Sequence, residues 1–308
     1  MTRRLLVAAV AVLAASSCSS PNPYYDPKKP HHTERGFRNT DTTAIAPRPF
    51  GEFLRWQRER WSLEIPPPKV DLSANVPDLG YIQKNRSDFA VTWVGHATVL
   101  VQIGGLNILT DPQFSERAFP VQWAGPKRHQ PPALRLAELP RIDVVVVSHN
   151  HYDHLDLGSV KALNAQAGGP PLFVVPLGNE RLLAEQGIIN TKALDWWDSV
   201  EVKGVRVNLV PVQHWSRRTL TDANTCLWGG FVLEGQNKGR QRRVFFGGDT
   251  GYSSVDFQAI GAKFGPIDLG LIPIGAYAPR WFMAPQHVDP DEAVKIHKDI
   301  RARRSLGI

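Results

Sequence analysis

The segment Ser148–His154 constrains the fold and chemistry of this chain more than any other. It reads Ser-His-Asn-His-Tyr-Asp-His and follows directly on four consecutive valines, Val144–Val147. A short run of β-branched residues predicts a strand that is buried on both faces. Residues two apart in an extended segment point the same way, so His149 and His151 can face one metal ion. The sequence therefore predicts a metal site immediately after a central strand.

Asp153 and His154 add two more potential ligands to this segment. They lie where the chain should turn from the strand into a helix, and they face a neighbouring point that could hold a second ion. A purely structural interpretation would require hydrogen-bond partners for three neighbouring imidazoles and a carboxylate at the end of one buried strand. That requirement favours the metal interpretation.

Further candidate residues follow other β-rich segments. His214 comes directly after one such segment and Asp249 after another, with glycines before Asp249 that let the backbone approach a metal closely. A lone histidine in such a position is more often hydrogen-bonded than metal-bound, but the cluster at 149–154 favours the ligand interpretation. His96 and Asp111 also follow predicted strands, and either could orient ligands or cap a turn.

The order of elements predicts an α/β fold in which two sheets pack face to face and are covered by helices. The hydrophobic periodicity predicts one strand over Val91–Ile103, a hairpin turn at Gly104-Gly105 and a strand over Leu106–Thr110. Further strands are predicted at 144–147, 172–175, 191–194, 204–211, 226–233, 243–247 and 267–273, and helices at 155–167, 178–186, 254–264 and 290–303.

The N-terminus resembles a bacterial lipoprotein signal. Arg3 and Arg4 precede an apolar run that is too short to span a hydrocarbon core of ~30 Å as a helix, and small residues then lead into Cys18. We predict a signal peptide over 1–17 and a lipidated Cys18. The protein would then be anchored in the cell envelope, on the periplasmic side of the outer membrane. An ordinary secretory signal, giving a secreted or periplasmic protein, is the alternative.

Residues 18–87 are rich in proline and polar residues and are interpreted as a tether and a surface arm. The pair His31-His32 within it is expected to be solvated rather than metal-bound. Cys226 lies in an apolar run and is expected to be a buried strand residue without a disulfide partner. The formal net charge of +7 is spread along the chain without a nucleic-acid-binding motif, so no nucleic-acid partner is expected.

Ordered motifs along 88–308 resemble one branch of a known superfamily. The pattern His-x-His-x-Asp-His, then a distant histidine and a Gly-Asp-Thr, is similar to that of the metallo-β-lactamase superfamily. The longer motifs resemble the N-acyl-phosphatidylethanolamine-hydrolysing phospholipase D family. They are 92–98, 109–112, 125–128, 148–156, 195–197, 213–215, 248–252, 273–277, 279–283 and 286–290. The resemblance implies an αββα four-layer sandwich over 88–308.

The resemblance also implies a site for two zinc ions. The expected ligands are His149, His151, Asp153, His154, His214 and Asp249. The three histidines at 149, 151 and 214 would hold the first ion, the pair at 153 and 154 the second, and Asp249 would bridge both. The family has one more ligand, a histidine in a His-Trp-Gly-Thr stretch after a strand that resembles 304–308. The sequence stops at Ile308, so the second site is expected to be incomplete in this chain.

The resemblance implies that a hydroxide between the ions attacks the phosphorus of an N-acyl-phosphatidylethanolamine-like phospholipid. Asp153, Asp249 and His287 are the candidate catalytic residues. His287 is expected to contact the substrate or support a ligand, and an exposed loop histidine is the alternative. Two other functions stay open: a lactonase or other hydrolase of small substrates, and a non-catalytic envelope protein that binds metal. The expected partners are a phospholipid or another anionic small molecule, the membrane through Cys18, and a second copy of the chain in a homodimer.

Overall fold

The computed structural model describes residues 21–42, 50–62 and 76–308. The predicted signal peptide and Cys18 lie outside the described residues. The strands are β1 (His32–Thr33), β2 (Gly36–Phe37), β3 (Ala90–Gly95), β4 (Thr98–Ile103), β5 (Leu106–Thr110), β6 (Val144–Val146), β7 (Leu172–Pro176), β8 (Thr191–Leu194), β9 (Ser199–Val202), β10 (Val205–Val210), β11 (Gly230–Asn237), β12 (Arg240–Phe246), β13 (Leu269–Ile272) and β14 (Ser305–Gly307). The helices are α1 (Phe50–Ser62), α2 (Leu79–Lys84), α3 (Leu157–Asn164), α4 (Asn179–Glu185), α5 (Ser254–Phe264), α6 (Arg280–Met283) and α7 (Pro290–Asp299).

Two six-stranded sheets form the centre of the protein, in the orders β3-β4-β5-β6-β7-β8 and β14-β13-β12-β11-β10-β9. In the first sheet β3, β4 and β5 are antiparallel, and β5 to β8 are parallel. In the second sheet β9 to β12 are antiparallel, and β12 to β14 are parallel. Parallel neighbours need crossover connections. Those from β6 to β7 and from β7 to β8 contain α3 and α4, and those from β12 to β13 and from β13 to β14 contain α5 and then α6 with α7. The connection from β5 to β6 is the long loop 111–143.

Strand β6 shows why the two sheets must be covered on their outer faces. Val144 and Val146 belong to the apolar core between the sheets, whereas Val145 and Val147 belong to a second core that includes residues of α3 and α4. Side chains alternate between the two faces of a strand, so a strand that is apolar on both faces needs packing on both. The predicted αββα sandwich and the double burial of this strand are confirmed.

The predicted single strand over 91–103 is wrong. The chain forms two antiparallel strands, β3 and β4, and turns between them at His96, whose φ is +51°. The hairpin turn that joins β4 to β5 is confirmed. Gly104 and Gly105 adopt φ values of +59° and +80°, which glycine accepts without the steric cost of a side chain.

The predicted strand 226–233 begins later, at Gly230, and Cys226 lies in the loop before it. The expected strand position of this cysteine is therefore wrong. Its side chain packs beside Gly178, where an added Cβ would come within 3.2 Å of the sulfur. Burial raises the pKa of the Cys226 thiol to about 11, so the thiol stays protonated at neutral pH.

The N-terminal residues 21–42 pack against the sandwich. His31 and His32 are buried, and Phe37 is part of the core between the sheets. The expectation that the histidine pair is solvated is therefore wrong. Sequence periodicity also missed the helices α1 and α2, which lie within the proline-rich stretch. Within the described ranges, no helix is long and apolar enough to cross a membrane.

Candidate metal centre

The candidate ligands come together where several strands of both sheets end. The segment 149–154 follows β6, and His214 and Asp249 follow β10 and β12. Gly248 permits this convergence, because a Cβ at this position would lie 2.5 Å from the Cβ of Ser148. Its φ of +57° also favours glycine. The chain before Asp249 can therefore pass directly against the segment that contains the other candidate ligands.

Three imidazoles face one another at this point, those of His149 and His214 buried and that of His151 partly buried. The Nε2 atom of His149 lies 2.8 Å from Nδ1 of His151, and Nε2 of His214 lies 3.4 Å from the same Nδ1 atom. Ligand nitrogens at 2.0–2.1 Å from a tetrahedral zinc ion are separated from each other by roughly 3.3 Å. The separation of 3.4 Å matches this value, and the separation of 2.8 Å would have to widen by about 0.5 Å around the ion. The three ring nitrogens thus converge on one point.

A second group adjoins the first. The Nε2 atom of His154 lies 3.2 Å from Oδ2 of Asp249 and 3.5 Å from Oδ2 of Asp153. This nitrogen is buried and makes no hydrogen bond of acceptable geometry. A buried polar atom without a partner needs an explanation, and a cation between these three side chains would supply one. His96 reaches the same place, with its Nε2 atom 3.1 Å from Oδ2 of Asp153.

Three of the candidate ligands have their other ring nitrogen held by a neighbouring group. These contacts are His149 Nδ1 with Ser148 Oγ (2.9 Å), His154 Nδ1 with Asp111 Oδ2 (2.6 Å) and His214 Nδ1 with the carbonyl of Gln286 (3.1 Å). Metal-binding histidines in proteins are oriented in this way. Asp111 is fully buried and contacts a candidate ligand, so of its two interpretations the structure favours orientation of a ligand over capping of a turn.

The electrostatics of the cluster suit metal ligands. Burial lowers the pKa of His149 and His214 well below the ordinary value and that of His151 to about 4. Burial would raise the pKa of Asp249, but the neighbouring imidazoles outweigh it and lower this pKa well below its ordinary value. His154 differs, because burial is outweighed by two nearby carboxylates, which raise its pKa and favour the protonated ring. A metal ion bound there would have to replace that proton. Three neutral imidazoles and an ionised carboxylate are the forms that bind metals.

His287 lies at the rim of the cluster. Its Nδ1 atom is 3.7 Å from Oδ2 of Asp249, and its ring centroid is 5.3 Å from that of His214. The side chain is 16% exposed, and Nδ1 is buried without a hydrogen-bond partner. The position suits a residue that contacts a bound substrate rather than a freely exposed loop histidine.

A further histidine group, which the sequence interpretation missed, lies in the N-terminal segment. His31 Nε2 and His32 Nε2 lie 2.7 and 2.9 Å from the two carboxylate oxygens of Asp195, and Lys29 Nζ is 2.5 Å from one of them. The Nδ1 atom of His32 accepts a hydrogen bond from the backbone N–H of Asp26, so its Nε2 carries the proton and donates to Asp195. This group is a hydrogen-bonded ion cluster.

Comparisons with known proteins concern the family and the fold of the chain. The Beta-lactamase superfamily domain matches residues 106–308. The chain is 46% identical over 236 residues to "N-acyl-phosphatidylethanolamine-hydrolyzing phospholipase D 1" of Caenorhabditis elegans, which covers 73% of this chain and 64% of the relative. It is 37% identical over 222 residues to the mitochondrial protein of the same description from Saccharomyces cerevisiae, which covers 70% of this chain and 46% of the relative.

The chain thus spans about half to two thirds of the length of these relatives. Among solved structures, the metallo hydrolase Igni18 of Ignicoccus hospitalis aligns with a TM-score of 0.53 at 20% identity, over 70% of this chain and 80% of that one. This likeness concerns the fold. Together with the match over 106–308 and the similarity to the worm protein, it shows that the chain belongs to the metallo-β-lactamase superfamily.

Proposed function

We propose that the protein is a metal-dependent phosphodiesterase that hydrolyses N-acyl-phosphatidylethanolamine-like phospholipids. The observation that supports this most strongly is the cluster of three imidazole nitrogens, His149 Nε2, His151 Nδ1 and His214 Nε2, beside the partly buried carboxylate of Asp249. The substrate class rests on the similarity to two relatives that are described as hydrolysing this lipid.

We assign two zinc ions to the site. His149, His151 and His214 would hold one ion, and Asp153 and His154 would hold the other. Asp249 would be shared, because its Oδ2 atom lies 3.2 Å from His154 Nε2 and 4.0 Å from His214 Nε2. Bound zinc would polarise a phosphoryl oxygen and lower the pKa of water towards neutrality.

The residues around the ligands have roles of their own in this proposal. Asp111 holds the ring of His154 in one orientation, and Ser148 does the same for His149. The Nδ1 atom of His287 is buried without a partner beside Asp249, so the side chain can hydrogen-bond a phosphate oxygen of the substrate. Asp153, Asp249 and His287 are thus the side chains that we place next to the reacting phosphate.

A substrate panel at matched zinc loading tests this proposal. We expect N-acyl-phosphatidylethanolamine in mixed micelles to be cleaved to phosphatidic acid and an N-acylethanolamine, faster than phosphatidylcholine or a small lactone is cleaved. His151→Ala should lose both the metal and the hydrolysis. His297→Ala is the matched control, because this histidine contacts Ser305 on β14. Faster turnover of the lactone would support the lactonase alternative, and hydrolysis by the His151 variant would contradict the assigned site.

We also propose that the protein is anchored in the cell envelope through Cys18. The support is the sequence pattern before this residue. Mass spectrometry of the membrane fraction should find a diacylglyceryl group on Cys18 as the first residue, and Cys18→Ser should move the protein to the soluble fraction. An unmodified N-terminus at another residue would favour the ordinary secretory signal.

A further inference from the structure

The N-terminal arm, residues 21–42, makes a two-point contact with a candidate metal ligand. The Oδ1 atom of Asn39 accepts a hydrogen bond from the backbone N–H of His214 at 3.0 Å, and its Nδ2 atom donates to the carbonyl of the same residue at 2.9 Å. The Asn39 side chain is buried and also lies 3.2 Å from the indole N–H of Trp228.

This contact supports His214, which lies beyond the end of β10 at Val210. Outside a strand its backbone has no ladder partner, and a buried backbone N–H or C=O without a partner is costly. The amide of Asn39 bonds to both groups at once and so defines the position of the residue from both sides. Productive ligand geometry requires a tolerance of about 0.5 Å, which an unsupported loop does not provide.

The arm is itself held at a second point, on the other sheet. Asp195 follows β8 and receives the side chains of Lys29, His31 and His32. The ring of His31 also stacks on Trp196, with ring centroids 4.4 Å apart and planes 21° apart. The arm is therefore fixed to the first sheet before it reaches the loop after β10, in the second sheet, which contains His214.

Two buried indoles connect these attachment points. The Nε1 atom of Trp196 donates to the carbonyl of Trp228 at 2.6 Å, and Nε1 of Trp228 lies 3.0 Å from the carbonyl of Val212, two residues before His214. Through Trp196, the chain neighbour of Asp195, these hydrogen bonds connect the Asp195 cluster with the loop after β10 that contains His214.

We propose that Asn39 is a positioning residue for the metal centre, and that the hydrolase needs its N-terminal arm for full metal affinity. Asn39 holds the backbone of His214 so that its Nε2 atom faces the other two imidazoles, and the Asp195 cluster keeps Asn39 in place. The proposal rests on the assignment of His214 as a metal ligand.

Zinc affinity, measured by competition with a chromophoric chelator, tests this role in the full chain. Asn39→Ala should bind zinc about tenfold more weakly, at the lower end of the ~10–100-fold range for residues that orient ligands. The visible absorption bands of the cobalt-substituted protein should also shift, because they report ligand geometry. Asn39→Asp keeps the acceptor for both N–H groups but places a charged carboxylate oxygen against the His214 carbonyl in place of the amide donor. It therefore tests the contact if the alanine variant does not fold.

Asn85→Ala is the matched control. Asn85 is equally buried and bonds to Gln102 and to the backbone near Asp88, within the first sheet and the chain before it. Its loss should lower the thermal stability of the metal-free protein and leave zinc affinity and the cobalt spectrum unchanged. Wild-type affinity and an unchanged cobalt spectrum in both Asn39 variants would overturn the proposal. Absence of zinc binding in the wild-type protein would instead overturn the metal assignment itself.

Discussion

Two histidine clusters in this protein differ in what their ring nitrogens contact. In the centre formed by residues 149–154, 214 and 249, ring nitrogens face one another, and buried atoms such as His154 Nε2 have no hydrogen-bond partner. In the arm cluster, His31 and His32 each point a nitrogen at Asp195, and none of their ring nitrogens is a buried atom without a partner. We propose that unsatisfied, convergent nitrogens, rather than the number of histidines, distinguish the candidate metal centre from the arm cluster.

Charge separates the clusters as well. Lys29 already supplies a positive charge to Asp195, so a metal ion there would have to displace an ammonium group. In the candidate metal centre the carboxylates of Asp153 and Asp249 contact neighbouring imidazoles. Electrostatics therefore favours a divalent cation beside Asp153 and Asp249 and opposes one beside Asp195.

The largest expected effect comes from removing one imidazole from each cluster. His151→Ala deletes a proposed ligand, so zinc affinity should fall by more than the ~100-fold upper range for residues that only orient ligands. His32→Ala removes a hydrogen bond to Asp195, so the zinc content should stay at the wild-type value and affinity should fall by no more than about tenfold. Elemental analysis and chelator competition on both variants measure this difference. Equal loss of zinc in the two variants would contradict the claim that zinc binds at His151 and not at the arm cluster.

A smaller effect is expected at Asp111, which supports the centre without joining it. Asp111→Asn removes the negative charge beside His154 Nδ1, so the imidazole becomes a poorer ligand. Zinc affinity should fall by ~10–100-fold, and the loss should concern the ion assigned to Asp153 and His154. A zinc titration that resolves the two binding events measures it. Loss of the other ion alone would show that the two sites have been assigned the wrong way round.

The sequence could predict that the candidate ligands come together because four of them lie within the six residues 149–154. The arm cluster could not be predicted in this way, because His31 and Asp195 are 164 residues apart and proline-rich composition around the histidine pair indicates a tether. The same limit applies to the turn at His96, since an apolar alternation continues through it. Local patterns therefore predict most of the strands and the segment 149–154, but long-range hydrogen bonds decide how residues 21–42 pack.

The smallest expected effect concerns the acid stability of the arm cluster. Burial alone would raise the pKa of Asp195, but hydrogen bonds from His31 and Lys29 outweigh it and hold this pKa below its ordinary value of 3.8. A depressed pKa in the folded state stabilises the protein above the unfolded pKa and loses that contribution as pH falls. Between about pH 5 and pH 3, the free energy of unfolding of the metal-free wild type should therefore decrease more steeply than that of Asp195→Asn.

Thermal denaturation of the two metal-free proteins across this range measures the difference. At neutral pH the free energy of unfolding of the Asp195→Asn variant should be lower by about 1–3 kcal/mol, because hydrogen bonds to a buried charged group are replaced by weaker ones. Parallel pH profiles for the two proteins would show that Asp195 does not hold the arm through its charge.

Anomalous diffraction at the zinc absorption edge, from crystals grown with zinc, tests the central claim most directly. The contrast between the clusters predicts an anomalous peak within coordination distance of His149 Nε2, His151 Nδ1 and His214 Nε2, and no peak between His31, His32 and Asp195. A zinc peak in the arm cluster, or an empty position between the three convergent imidazoles, would contradict this account.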